Sequence, residues 1–505
     1  MTAVQRPPSL GRTASRGAVV TFGGQVIRIT IQLLGIVLLA RMLSPTDYGV
    51  TAMVLAIIGV GEILRDFGLS SAAIQAKTLT AGQRANLFWI NVGIGAALTV
   101  VVIALAHPIA DFYGDDRLVL VTIVLSSTFF LNGFATQFRA DLNRSFRFGA
   151  LATIEIAAQA LSLVIALSLA ALGWGYWAIV AQQVLQVFFQ AVALPIMGGW
   201  WPGLPRRGEQ MKPLLAFGGG LVGAQVLNYA SRNVDSIVIG RAFGAQSLGY
   251  YNRAFQLMLL PLNQINAPST RVALPTLSRL QDQPKRYGEF ISFGQTVLLN
   301  IVSLVLGFSV AQATDVIAVA LGPQWAPTVP LFQILAIAGF FQAAAFASYW
   351  VFLSQGLTTP YLWYTIWTRP FVIGLIILGA LWGTEGVAAM YLASTALLWP
   401  IGLLWLRRRS TAPLLRLFLN GLRTLIVYGL AAAASYASTL LLPEASPFLR
   451  IGVGLLTFLA ALAVTVLAFP PFRRDIASII AARRLLARSR PAAAADATDT
   501  LEDPA

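Results

Sequence analysis

The chain has 505 residues, 57% of them hydrophobic and only 11% charged, with a mean hydropathy of +0.73. No single soluble core can hide that much apolar surface, so the composition points to a helical protein that crosses a membrane many times. Lysine and arginine outnumber aspartate and glutamate 35 to 20, and cysteine is absent, which excludes disulfides, thiol catalysis and cysteine-bound metal.

Residues 1–17 are polar and basic, and hydrophobicity then continues to Ala40. That run is too long for a signal-peptide core and lacks a small-residue cleavage site, so it reads as a retained first span. Taking it as 18–40, later runs place spans at 48–64, 87–109, 118–137, 150–172, 176–198, 214–239, 247–265, 291–311, 328–353, 359–381, 386–406, 420–442 and 448–469, about fourteen in all. Alternate connections are strongly basic, for example Arg139/Arg144/Arg147, Arg206/Arg207/Lys212 and Arg407/Arg408/Arg409. The others mix Arg41, Arg117, Arg241 and Arg450 with Asp47, Asp111, Asp115, Asp116, Asp315, Glu385 and Glu444. This asymmetry accounts for the net charge of +15 without nucleic acid, and it puts both termini in the cytoplasm.

The loop Trp200–Pro213, rich in Pro, Gly and charge, reads as a linker between an N-lobe (18–199, six spans) and a C-lobe (214–406, six spans). Two further spans fill 407–470, and 471–505 is a basic amphipathic tail with a disordered acidic end. An internal repeat supports the two lobes: Gly23, Gln25, Val26, Arg41 and Gly49 return as Gly223, Gln225, Val226, Arg241 and Gly249. The copies start on the same side of the membrane, so they would be related by an axis along its normal.

Each copy carries polar residues at helical spacing: Thr21, Gln25, Arg28 and Gln32 in the first, Gln225, Asn228, Tyr229, Arg232 and Asp235 in the second. A charge at the bilayer centre costs about 2.5–3.5 kcal/mol on insertion scales, so these faces should meet protein or water. Either Arg28 lines a hydrophilic cavity and binds an anion, or it forms an ion pair with Glu62 or Asp66. Arg232 and Asp235, one turn apart, either satisfy each other or leave Asp235 to bind a proton or cation. Glu62 is a second candidate for ion coupling. Arg253 and Arg369 are further intramembrane cations, the latter next to helix-kinking Pro370. Trp363, Tyr364 and Trp367 fit either an aromatic belt or a surface that stacks on sugars. Gln182, Gln183, Gln186 and Gln190 fit helix packing or bonds to sugar hydroxyls. Arginine in excess of carboxylate in the core suggests an anionic cargo such as a phosphate, which guanidinium binds through paired hydrogen bonds.

Seven strings then carry a family likeness: LLARMLSPTDYG (Leu38–Gly49), RDFGLSSAAIQ (Arg65–Gln75), NRSFRF (Asn143–Phe148), ALGWGYWAIV (Ala171–Val180), NVDSIVIGRAFGAQSLGYYNRAFQLMLLP (Asn233–Pro261), RVALPTLSRLQ (Arg271–Gln281) and LGPQWAPTVPLFQILA (Leu321–Ala336). In this order they resemble bacterial polysaccharide exporters of the Wzx/WzxC flippase type, in the MOP superfamily. The resemblance implies an all-α fold of two six-helix lobes around a cationic cavity, often followed by two helices. It implies translocation of undecaprenyl-pyrophosphate-linked oligosaccharide across the inner membrane by alternating access, for exopolysaccharide, capsule or lipopolysaccharide. The expected partners are a polymerase and glycosyltransferases of the same pathway, together with membrane lipids. No cofactor is implied, although coupling to H+ or Na+ is open. Because the family does not fix which arginines meet pyrophosphate, the cavity candidates remain Gln25, Arg28, Gln32, Gln225, Asn228, Arg232, Arg253 and Arg369. Competing functions are a lipid II flippase, a cation-coupled multidrug exporter, and a membrane glycosyltransferase or polymerase. The outer loops are short for an enzyme, and the first lobe lacks the acidic pocket a cation exporter would use.

Overall fold

In a computed structural model, residues 10–66, 73 and 79–481 are described, except for the side chains of 10–22, 212–227, 230 and 267. Thr21, Gln225, the polar start of the chain and the tail beyond residue 481 therefore lie outside the described residues. The described residues form helices and turns with no strand. In chain order the helices are α1 (Leu10–Met42), α2 (Pro45–Asp66), α3 (Ala81–Ala104), α4 (Ala106–Tyr113), α5 (Arg117–Arg144), α6 (Phe148–Ala171), α7 (Tyr176–Gly198), α8 (Lys212–Arg279), α9 (Pro284–Ala311), α10 (Ala313–Ala320), α11 (Thr328–Ser354), α12 (Thr358–Gly379), α13 (Gly383–Leu406), α14 (Leu414–Leu440) and α15 (Pro447–Ala468). A final helix, α16, covers 470–481.

Among the described residues eleven helices are long and apolar enough to cross a membrane, where the sequence suggests about fourteen spans. One of the eleven is the stretch Thr358–Leu406, interrupted by a 3-10 turn at Ala380–Trp382. Another departure is α5, which continues to Arg144 and so takes Arg139 into the helix rather than into a connection. The 68-residue α8 is broken at Gly244, whose φ of 77° lies in the left-handed region that glycine adopts without a Cβ clash.

Local chemistry sets the helix starts. Ser44 and Asp47 cap α2 reciprocally, through Ser44 N–H to Asp47 Oδ2 (2.8 Å) and Asp47 N–H to Ser44 Oγ (3.3 Å), with Pro45 at the first helical position. Thr80 and Gln83 form a capping box at α3.

The chain divides into two compact units. The first holds residues 1–252, 320–325 and 380–384. Its core includes Phe88, Phe138, Leu142, Ile154 and Leu194. The loop after α7 is strapped along the first turns of α3. Asn86 exchanges two 2.8 Å bonds with the backbone of Arg206, Trp89 donates to Gly203 C=O (2.9 Å), and Thr80 donates to Glu209 (2.8 Å). Arg84 adds an ion pair with Asp141 at 2.9 Å and lies 4.1 Å over the Trp200 ring.

The repeat glycines meet in this unit. A Cβ on Gly49 would lie 1.6 Å from the carbonyl oxygen of Ala245, and one on Gly249 would lie 1.8 Å from that of Pro45. The contact is reciprocal, because Pro45 and Ala245 are themselves equivalent in the repeat. Beside it, Trp325 Nε1 and Gln324 Nε2 donate to Ala40 C=O at 2.8 and 3.0 Å, and Tyr48 packs edge-on against Trp325.

The second unit holds residues 253–319, 326–379 and 385–505. The hairpin of α14 and α15 is fastened to it by polar bonds at several depths. Arg450 pairs with buried Asp315 (2.8 Å), Gln312 donates to Ser435 Oγ (2.8 Å), Tyr428 donates to Asn300 (3.1 Å), and Arg423 pairs with Asp475 of α16 (2.6 Å). Phe472 of α16 is buried with Val427, Tyr428 and Phe458. An apolar pocket of about 490 Å³ lies among α9, α11 and α14, lined in part by Leu306, Phe340 and Tyr428.

Candidate functional site

Arg28 ends up facing Glu155. The two pair at 3.2 Å between α1 and α6, and Arg28 also donates to Gln25 one turn earlier. Gln159, one turn after Glu155, donates to the Arg28 carbonyl at 3.3 Å. The sequence pointed instead to Glu62 or Asp66 as the partner of Arg28. Glu62 accepts from Arg65 (2.7 Å) and from Asn132 of α5 (2.9 Å), and Arg65 reaches Thr136 at 2.8 Å. Arg139 donates to Gln190 of α7, and its charged neighbours are Glu155, Arg65, Glu62 and Asp66.

These groups occupy one end of the first unit: the start of α6 and the ends of α2 and α5. Glu155 lies seven residues into α6, about 10 Å along its axis. Glu155 therefore sits in the first third of α6 rather than at its midpoint. Side-chain exposures of 43% for Arg28, 34% for Glu155 and 29% for Glu62 leave the cluster open on one side. Hydrocarbon would penalise charges that open, so the exposed side faces water or lipid headgroups.

Arg28 pairs with Glu155 and Arg65 with Glu62, while Arg139 bonds to Gln190 and has Glu155, Glu62 and Asp66 among its charged neighbours. Among the described residues this cluster therefore brings three arginines and three carboxylates together, two of the arginines being ion-paired. A guanidinium in apolar surroundings needs a counterion, which comes from a distant helix for Arg28 and from its own helix for Arg65. Sequence reasoning missed Arg139 because it ended the span at residue 137. The i, i+3 spacing of Glu62 and Arg65 was a signal that could have paired them.

The second stripe is arranged differently. Asp235, 2% exposed, accepts from the Tyr251 hydroxyl (2.7 Å) and the Ser236 backbone N–H (2.8 Å). It makes no ion pair with Arg232, which is exposed. The Tyr251 bond spans the break at Gly244 and ties the two halves of α8 together. Asn228 and Tyr229 are half-buried, with the Tyr229 hydroxyl donating to Leu55 C=O at 3.2 Å, and Gln32 of the first stripe is exposed.

In the second unit, Arg253 is buried and donates to Gln256 at 2.9 Å, and Arg369 is half-buried on α12. Trp363 and Trp367 are exposed, whereas Tyr364 donates to Leu398 C=O at 3.2 Å. Of the glutamines on α7, only Gln190 is buried, held by Arg139. Asp115 forms a surface pair with Arg117, whose hydrogen bonds hold the Asp115 carboxyl below the usual carboxylate range.

The order of helices is that of a known class. The chain aligns with the lipid II flippase MurJ in its inward closed conformation at a TM-score of 0.66, covering 91% of this chain and 99% of that one at 15% identity. It is a multi-pass membrane protein of that fold. A model of the family described as "polysaccharide biosynthesis protein" matches residues 38–330, and the chain belongs to that family. Among its relatives, the lipopolysaccharide biosynthesis protein WzxC of Escherichia coli (strain K12) is 26% identical over 329 residues, 63% of this chain and 65% of WzxC. The teichuronic acid biosynthesis protein TuaB of Bacillus subtilis (strain 168) is 28% identical over 357 residues, 69% of this chain and 73% of TuaB. The match thus spans just under two-thirds of the length of WzxC. The likeness carried by the loop strings is borne out.

Proposed function

We propose that the protein is a flippase for a lipid-linked oligosaccharide, moving undecaprenyl-pyrophosphate-bound repeat units from the cytoplasmic to the periplasmic leaflet of the inner membrane. Family membership across residues 38–330, on a fold shared with a lipid II flippase, carries this reading. The fold alone would suit a lipid II flippase equally well, and the family match favours polysaccharide. On this reading the protein is a carrier, not an enzyme, and works by alternating access beside a polymerase and glycosyltransferases.

Fourteen spans in two related lobes, with both termini cytoplasmic, belong to the same proposal. The break of α8 at Gly244, the interruption at Ala380–Trp382 and the reciprocal glycines support it. The charged cluster of the first unit would receive the pyrophosphate. There Glu155 and Glu62 act as stand-in anions for Arg28 and Arg65 until the incoming headgroup takes over their guanidinium donors. Asp235 and Glu62 remain candidates for coupling to H+ or Na+.

A deletion strain provides the test. It should lose surface polysaccharide and accumulate oligosaccharide-linked lipid in the cytoplasmic leaflet, and the wild-type gene should reverse both. Loss of polymer with no such accumulation would contradict the proposal.

A further inference from the structure

The loop between α7 and α8 is fixed to α3 at graded depths. Gly203 is level with Trp89, about 12 Å from the start of that helix, Arg206 is level with Asn86 at about 7.5 Å, and Glu209 reaches Thr80 at the cap. The α3 span read from the sequence starts at residue 87, so Gly203 lies level with its first turn and Arg206 just outside it. Trp200 turns inward, 4.8 Å from the Phe138 ring and beneath the Arg84 guanidinium. Its successors turn outward: Trp201 is 72% exposed and Leu204 81%, and Arg206 and Arg207 are both exposed. Neither of these two arginines makes an ion pair among the described residues. Five hydrogen bonds to α3 and its cap hold the loop in that pose. Toward the cap its side chains therefore run from apolar to cationic to acidic. A bilayer leaflet presents acyl chains, phosphates and water in the same order.

We propose that this loop is a docking site for anionic phospholipid, with Arg206 and Arg207 at the level of the phosphates and Trp201 and Leu204 set among the acyl chains. A guanidinium binds phosphate through two parallel hydrogen bonds. An indole settles at the headgroup boundary, where its ring meets acyl chains and its N–H meets water. In bulk water the same pose would leave a tryptophan and a leucine bare on a loop too firmly held to fold them away. The ligand is a lipid of the bilayer, such as phosphatidylglycerol, and not the cargo. The inference thus goes beyond the flippase reading and does not depend on it.

The chain has no cysteine, so Leu204→Cys gives the full-length protein a single thiol at an exposed position. The variant is placed in nanodiscs of phosphatidylcholine, with or without phosphatidylglycerol, and its reaction with a neutral polyethylene-glycol maleimide is timed. Nanodiscs open both membrane faces to the reagent. Each rate is taken relative to that of Glu444→Cys, in an exposed turn, which corrects for the surface charge of the discs. The thiol at 204 should react about tenfold more slowly in the anionic discs, the effect of two arginines drawn to a charged surface. Adding Arg206→Gln/Arg207→Gln should bring the two rates within about twofold of each other. That variant keeps the bonds to Asn86, which use the backbone of residue 206. Equal rates in the two discs for Leu204→Cys, whether fast or slow, overturn the proposal, as does a difference that survives loss of both arginines. Shielding that appears only when undecaprenyl-pyrophosphate oligosaccharide is added also overturns it and assigns the face to the cargo.

Discussion

Arg28 and Arg65 make similar-looking pairs that should behave differently when broken. The Arg28–Glu155 pair is more than a third open, so water screens it and its loss should cost under about 1 kcal/mol. Arg65 is buried, bonded to both Glu62 and Thr136, and breaking a buried pair costs about 3–5 kcal/mol. Arg28→Ala should therefore keep its melting temperature in detergent yet abolish surface polymer, whereas Arg65→Ala should melt several degrees lower. The charge exchange Arg28→Glu/Glu155→Arg should restore the pair without restoring transport, if the guanidinium must sit on α1 to meet its ligand. Restored transport would reduce Arg28 to a structural counterion. Arg28 was legible from the sequence as a charge inside an apolar run. Its partner was not, because Glu155 lies 127 positions away and only packing of α1 against α6 brings them together. The same limit hid the role of Arg139, for nothing local marks that α5 runs on to Arg144.

Helices are fixed by their crossings as much as by their own sequences. Gly49 and Gly249 stand where backbone meets backbone, and the obstructing atoms are carbonyls that cannot rotate away. Gly49→Ala and Gly249→Ala should each lower the yield of folded protein and its melting temperature. Gly429→Ala, where nothing lies within 4 Å, should leave both unchanged. Equal behaviour of all three would mean that the crossing is looser than described. The repeat could be read from five identities in the chain, but not that two of them touch the partner copy. Span positions were mostly legible, because an apolar run of twenty residues needs no tertiary context. The short helices α4 and α10 and the break at Gly244 were not, since each depends on how its neighbours pack.

At the scale of the whole molecule, the last two spans are more than an appendage. Asp315–Arg450 and Arg423–Asp475 fasten the α14–α15 hairpin near its two ends, and buried Phe472 seals α16 beneath it. Asp315→Ala leaves the Arg450 guanidinium without its carboxylate and should cost about 3–5 kcal/mol, read as a lower melting temperature. Asp315→Ala/Arg450→Leu should recover much of that loss. Family and fold were both legible in the loop strings, whereas the charged cluster of the first unit was not, because its side chains are gathered from four helices.

The most direct test of the central claim is transbilayer movement of a fluorescent undecaprenyl-pyrophosphate oligosaccharide in liposomes containing only this protein. Wild type should carry the label from the outer to the inner leaflet within minutes, out of reach of a membrane-impermeant quencher, and Arg28→Ala should not. Label that stays fully quenchable with wild-type protein, or that moves equally fast with Arg28→Ala, would contradict the account.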